Sequence, residues 1–221
     1  MVNFLRLFAF FSIAALLSAC ASQPPAKSDY SALRSQQPRS ILVVPAVNRS
    51  VDVTAADYLL TTVSRPLAER GYYVFPVHMT RQLLEDDGLG DADLVHDSDP
   101  ARLGKMFGAD AVLYIGIERW DARYLVLQTT VTVDLHYTLK SASTGQVLWE
   151  NRQSVVHQPD NRGNQGLAGL LVQAVVAAVQ KAAPNYMPLA RRANQQALYT
   201  AGRGLPAGPY DAQYNKDGAA F

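Results

Sequence analysis

The stretch LVLQTTVTVDLHYTL (Leu125–Leu139) decides the fold class. Its odd positions read Leu125, Leu127, Thr129, Val131, Val133, Leu135, Tyr137 and Leu139. Its even positions, continued to Lys140, read Val126, Gln128, Thr130, Thr132, Asp134, His136, Thr138 and Lys140. A period of two, apolar against polar, is the pattern of a strand with one face in a core and the other in solvent. AVLYIGIERW (Ala111–Trp120) precedes it, and QVLWENRQSVVH (Gln146–His157) follows across the turn SASTG. Three consecutive strands joined by short connections predict an antiparallel meander.

Upstream the pattern changes. ILVVPAVN (Ile41–Asn48) is a continuous apolar run rich in β-branched residues, as in a strand buried on both faces. In TAADYLLTTVSRPLAERGYY, Ala55, Leu59, Val63 and Leu67 fall at helical spacing and Gly71 supplies a cap. Pro66 inside it predicts a kink or break near Ser64. YYVFPVH (Tyr72–His78) reads as a second strand, which completes a βαβ unit with parallel strands. The fold class is therefore α/β: a mixed sheet with a parallel βαβ start and an antiparallel three-strand meander, helices packed on the sheet.

The connecting segments follow from their punctuation. TRQLLEDDG predicts a short helix stopped by Gly88, and DDGLGDADLVHDSD an acidic loop. Asp99-Pro100 opens a helix that runs to Phe107 and ends at Gly108, with a capping side chain and then proline at the first helical position. After the meander, Leu167, Leu170, Leu171, Ala174, Val175 and Ala178 form one helical stripe, expected to pack on the sheet. PLARRANQQALY is a last amphipathic helix. One domain over residues 41–200 accounts for these elements, followed by a Gly/Pro/Tyr-rich tail (201–221) expected to be extended and weakly ordered.

The N-terminus is of another kind. Residues 1–19 carry a short positive start at Arg6 and an apolar core, LFAFFSIAALL (Leu7–Leu17), too short to span a bilayer, which needs about 20 residues. Leu17-Ser18-Ala19-Cys20 then resembles the bacterial lipoprotein cleavage box. That resemblance implies removal of residues 1–19, a diacylglyceryl group on the Cys20 thiol and acylation of its amine, so that the chain is held in a membrane by its N-terminus. Ala21, where the inner-membrane retention signal would have Asp, implies the outer membrane. Residues 20–40, rich in Ser, Gln, Pro and Ala, read as the acylated cysteine and a flexible tether. Cys20 is the one cysteine of the chain, which fits an oxidising compartment where a spare thiol is a liability.

Composition and spacing bound the chemistry. Without Arg6 the chain has 19 basic and 19 acidic residues, and no basic run, which argues against nucleic acid. His78, His96, His136 and His157 stand singly, without metal-ligand spacing, and the acidic stretch Asp86–Asp99 lacks the closing Glu of a calcium loop. No cofactor or metal is expected, and no Gly-x-Ser-x-Gly elbow or Cys–His pair marks a nucleophile. The one geometric candidate lies where open α/β sheets bind ligands, beyond the carboxyl ends of the parallel strands. There Asn48, Arg49 and His78 could line a common crevice, with ordinary loop and capping roles as the alternative.

The cleavage box, SILVVPAVNRS, RGYYVFPV and GADAVLYIGIERW together resemble a family of Gram-negative lipoproteins of unknown function that includes a neisserial vaccine-candidate surface antigen. The resemblance implies an α/β domain similar to the amino-terminal domain of TolB, self-association as a homodimer, and a link to envelope transport beside lipoproteins that look like the curli secretion channel. It carries over no site residue except Cys20. A pore is not expected of this chain: the polar face of its one long strand bears Asp134, His136 and Lys140. The expected function is that of a non-enzymatic, periplasm-facing outer-membrane lipoprotein that binds an envelope protein partner through a sheet edge, through the helix at residues 167–182, or through its tail. A periplasmic small-ligand or peptide-binding module using the Asn48–His78 crevice is the alternative.

Overall fold

Alternation within a fully buried strand sets the architecture. In the computed structural model, which describes residues 28–125, 128–157 and 186–221, β1 (Ser40–Val43) buries Ile41 and Val43 on one face and Leu42 on the other, followed by buried Val44. Apolar side chains on both faces require cover on both, so β1 lies inside the sheet. It pairs in parallel with β3 (Tyr73–Val74) and with β4 (Ala111–Leu125). β4 pairs antiparallel with β5 (Gln128–Ser141), and β5 with β6 (Val147–His157). The sheet order is β3-β1-β4-β5-β6, and β2 (Val47–Asn48) adds a short parallel pairing to β4. The mixed sheet and its meander are those the sequence predicts. On β5, Val133, Leu135, Tyr137 and Leu139 are buried, while Thr132, Asp134, His136, Thr138 and Lys140 on the other face are half-buried.

Helices cover the two faces unequally. α2 (Ala55–Glu69) and α6 (Met187–Tyr199) lie on the face that holds Ile41, Leu113, Ile115, Ile117, Leu135 and Tyr137. α3 (Val77–Asp86), α4 (Ala92–Asp97) and α5 (Pro100–Phe107) bring Leu84, Val95 and Leu103 against Leu42, Val44, Val112 and Tyr114 on the other. α5 begins and ends where its sequence says: the Asp99 carboxylate accepts from Ala101 N–H at 2.9 Å, and Gly108 closes it in the left-handed region.

Several boundaries differ from the sequence reading. α2 passes through Pro66 without a break at Ser64. The proline removes one rung near the C-terminal end, and burial of Leu59, Val63 and Leu67 holds the helix to the sheet on both sides of it. β3 is two residues long because Pro76 cannot continue a ladder; it becomes the residue that precedes α3, and His78 is helical rather than at a strand end. The acidic loop contains α4, started by the Asp91 carboxylate accepting from the N–H groups of Asp93 and Leu94. Residues 28–40 are not tether but part of the fold. They include α1 (Ser31–Gln36), with Tyr30 and Leu33 in the core and Ser28 N–H donating to Gly202 O at 2.8 Å.

The C-terminal tail is a set of turns folded onto the domain, with Leu205 and Ala207 buried. Its path needs glycine at one crossing: Gly71 has φ +78°, and a Cβ there would lie 2.4 Å from Asp211 N. Residues 1–27, with the apolar leader and Cys20, and the helical stripe at 167–182 lie outside the described residues.

Candidate functional site

The carboxyl end of β1 and β2 is closed by a braced loop. Asn48 Nδ2 donates to Asp52 O at 2.7 Å, and Asn48 Oδ1 accepts from Ser50 N–H at 3.0 Å and Ser50 Oγ at 2.6 Å. Asp52 Oδ1 accepts from Thr54 N–H at 2.9 Å and from the Thr54 hydroxyl at 2.6 Å. Arg49 N–H donates to Ile117 O at 2.9 Å, which fastens the start of the loop to β4. Short polar side chains that bond their own backbone two residues on are the ordinary means of fixing such a turn. Alternation then leaves the residues between them outward: Val51 is 94% exposed and Val53 87%.

The three residues expected to share a crevice have separate roles. Both polar ends of Asn48 are engaged within the loop. The Arg49 guanidinium reaches α4 instead, at 2.7 Å from Asp93 Oδ1 in an exposed ion pair. His78 is exposed in the first turn of α3 and makes no hydrogen bond to either.

The histidine that does reach this end of the sheet is His96. Its Nε2–H donates to Pro45 O at 3.0 Å, and its ring meets Tyr114 edge-on at 5.1 Å between centroids. Burial holds its imidazole below the ordinary value of 6.5. The Tyr114 phenol is pushed up to about 12, mainly by burial, and Lys140 Nζ lies 5.0 Å from the centre of its ring. The sequence signal for His96 was the capping pattern at Asp91: a helix started there carries Val95 and His96 inward, whereas a loop does not.

Elsewhere, charged groups pair with each other. Arg119 meets Asp134 at 3.2 Å and His136 meets Glu150 at 2.7 Å on the open face of the meander. A polar recess of about 390 Å³ between α2 and α6 is lined by Thr61, Arg65, Glu69, Arg191 and Gln195, with Arg65 on Glu69 at 2.7 Å. Among the described residues no three His, Cys, Asp or Glu side chains converge as a metal would require, and no helix is long and apolar enough to cross a membrane. At this end of the sheet the polar groups of the loop bond one another or an exposed ion-pair partner, and Val51 and Val53 stand out between them.

The chain is similar to known proteins in sequence and fold. The family described as "Putative lipoprotein GNA1162-like" matches residues 28–210. The chain is 38% identical over 160 residues to "Putative lipoprotein NMB1124/NMB1162" of Neisseria meningitidis serogroup B, an alignment that spans 72% of this chain and 74% of that one. The crystal structure of lipoprotein GNA1162 from Neisseria meningitidis matches with a TM-score of 0.54 and 37% identity, covering 65% of this chain and 99% of the other.

Proposed function

We propose that this chain, which belongs to the GNA1162-like lipoprotein family, is a non-enzymatic subunit of an envelope transport or secretion complex. In this reading Cys20 is acylated, the anchor lies in the outer membrane, and the domain faces the periplasm and acts by binding a protein partner. The observation that carries the reading is the state of Asn48. A ligand site at the ends of the parallel strands needs convergent free polar groups, and Asn48 is bonded into its own loop while Arg49 holds Asp93. Contact with another protein needs shaped surface instead. The folded tail, tied down at Leu205 and Asp217, is withdrawn as a free binding arm.

The test is a pulldown of the lipidated protein from gently solubilised membranes, beside a Cys20→Ser form. A defined envelope protein recovered in fixed ratio with the wild type is the expected result. Recovery of the chain alone, as monomer or homodimer, removes the assembly role. A thermal shift with a small ligand that disappears in Asn48→Ala would revive the crevice.

A further inference from the structure

α2 and α6 lie side by side and run in the same direction. Thr61 Oγ1 is 4.0 Å from Met187 Sδ, Asn194 Nδ2 donates to Thr62 Oγ1 at 2.8 Å, and the Tyr199 hydroxyl donates to Glu69 Oε2 at 3.1 Å. Their buried stripes, Leu59, Val63 and Leu67 on one helix and Ala190, Ala193 and Ala197 on the other, belong to one core. Beside those stripes run Thr61, Arg65 and Glu69 on α2 and Arg191 and Gln195 on α6, four apart on each helix and therefore on one face. These are the residues that line the recess of about 390 Å³.

The recess carries unbalanced charge. Arg65 and Arg191 bring two guanidinium groups to it and Glu69 one carboxylate, so one positive charge is in excess. Glu69 is engaged twice, by Arg65 Nε at 2.7 Å and by Tyr199 from the facing helix. These contacts orient Arg65 before any ligand arrives and leave its Nη groups to meet one, which lowers the ordering cost of binding. Arg49, Arg81, Arg102 and Arg119 each hold a carboxylate. Arg191 has no ion pair among the described residues, and the Gln195 side-chain amide has no hydrogen bond among them. Two like charges sharing a recess repel, and an anion between them removes that repulsion.

The lining selects the anion. A guanidinium fork matches a carboxylate in two parallel hydrogen bonds. A carboxylate also matches the single excess charge, whereas a phosphate monoester, with about −1.5 to −2 at pH 7, exceeds it. The other wall accepts hydrogen bonds. The Thr61 hydroxyl donates to Tyr58 O at 2.9 Å and keeps its oxygen as an acceptor, and Glu69 has lone pairs beyond its two donors. These acceptors suit a hydroxyl or ammonium group on the same ligand, and the volume lies near the small end of ligand sites.

We propose that the recess between α2 and α6 binds a small polar carboxylate, a hydroxy acid, amino acid or sugar acid, with Arg191 and Arg65 on the carboxylate and Glu69 and Thr61 on its hydroxyl or ammonium groups. The site is separate from the strand-end loop and does not depend on the assembly reading.

The test is calorimetric titration of the full-length lipidated chain in detergent, at constant ionic strength, with lactate, alanine and glucuronate as probes and inorganic phosphate as reference. At least one carboxylate is expected to bind saturably and to raise the melting temperature, with phosphate binding at least tenfold more weakly. Arg191→Ala is expected to weaken that carboxylate at least tenfold and, without ligand, to melt with the wild type, because Arg191 is exposed and unpaired. Arg191→Lys keeps the charge without the fork and is expected to fall between them; Asn48→Ala is expected to bind as the wild type does. Saturable binding by none of the three carboxylates, phosphate binding within tenfold, undiminished binding by Arg191→Ala, or loss of binding in Asn48→Ala each overturn the proposal.

Discussion

The Tyr137 hydroxyl donates to Asn194 Oδ1 across 2.7 Å, and both residues are completely buried. Asn194 Nδ2 in turn donates to Thr62 Oγ1 at 2.8 Å. One amide thereby joins β5, α6 and α2, inside the layer where only apolar contact would otherwise set their register. Tyr137→Phe leaves Asn194 Oδ1 without its donor and is expected to lower stability by about 1–3 kcal/mol. For a domain of this size that is about 2–4 °C in Tm per kcal/mol, read by calorimetry. Adding Asn194→Leu is expected to restore part of the loss, because Thr62 keeps the carbonyls of Tyr58 and Leu59 as acceptors. An unchanged Tm in the single variant would mean that the network does not contribute.

Arg70 holds the tail. Its guanidinium bonds Asp217 at 3.2 Å and Leu205 O at 2.8 Å, and lies 4.9 Å from the centre of the Phe221 ring. Both charged side chains are mostly buried. Arg70→Met keeps the bulk and leaves Asp217 without its cation, at a cost of about 3 kcal/mol, the low end for one partner removed from a buried pair. Limited proteolysis should then cut between residues 205 and 217 well before the sheet. A tail as resistant as in the wild type would contradict the clamp.

Gly71 and Gly88 separate conformation from contact. Both have φ near +80°, but a Cβ on Gly88 meets nothing within 4 Å, whereas one on Gly71 would overlap the backbone of Asp211. Gly88→Ala is expected to cost about 1–2 kcal/mol, the left-handed penalty alone. Gly71→Ala should cost measurably more and release the tail in the same proteolysis assay. Equal losses in denaturant titrations would show that the close approach carries no energy.

Burial lowers the His96 pKa in the folded state, with Lys140 and Arg49 adding to the effect and the Pro45 carbonyl and Asp93 opposing it. The unfolded chain then binds the proton more readily, so stability falls as pH drops through the ordinary value of 6.5 toward the lower folded value and is fully present above 6.5. His96→Gln is expected to flatten that part of the stability-versus-pH curve. A variant curve as steep as the wild type's would assign the slope to other groups.

Most of the sheet was legible because its signals are local. The alternation on β5 and the double-faced burial of β1 need only neighbouring residues to be read. The boundaries missed depend on distant ones. Tyr30 and Leu33 sit in a polar stretch that reads as tether, and their burial is owed to partners such as Gly204, far along the chain. The tail misled for the same reason: Tyr72 OH donates to Pro206 O, a pairing no local composition announces. At the candidate site, strand ends pointed to the loop that follows Asn48, but position alone could not tell a free Asn48 from a bonded one. The short polar side chains at every second position, Asn48, Ser50, Asp52 and Thr54, were the readable sign of a brace.

Both described ends of the chain meet at one pole, where Ser28, Tyr30 and Arg34 bond Gly202, Gly204 and Phe221. A mechanical load delivered through the N-terminus would reach these contacts first and part them one after another, as a zip opens. β1, held on both sides by parallel neighbours, would feel the same pull along its length, with its bonds loaded together. The fold thus places a yielding element in series with a resistant one, so the domain can give ground at its base under tension while the sheet stays whole.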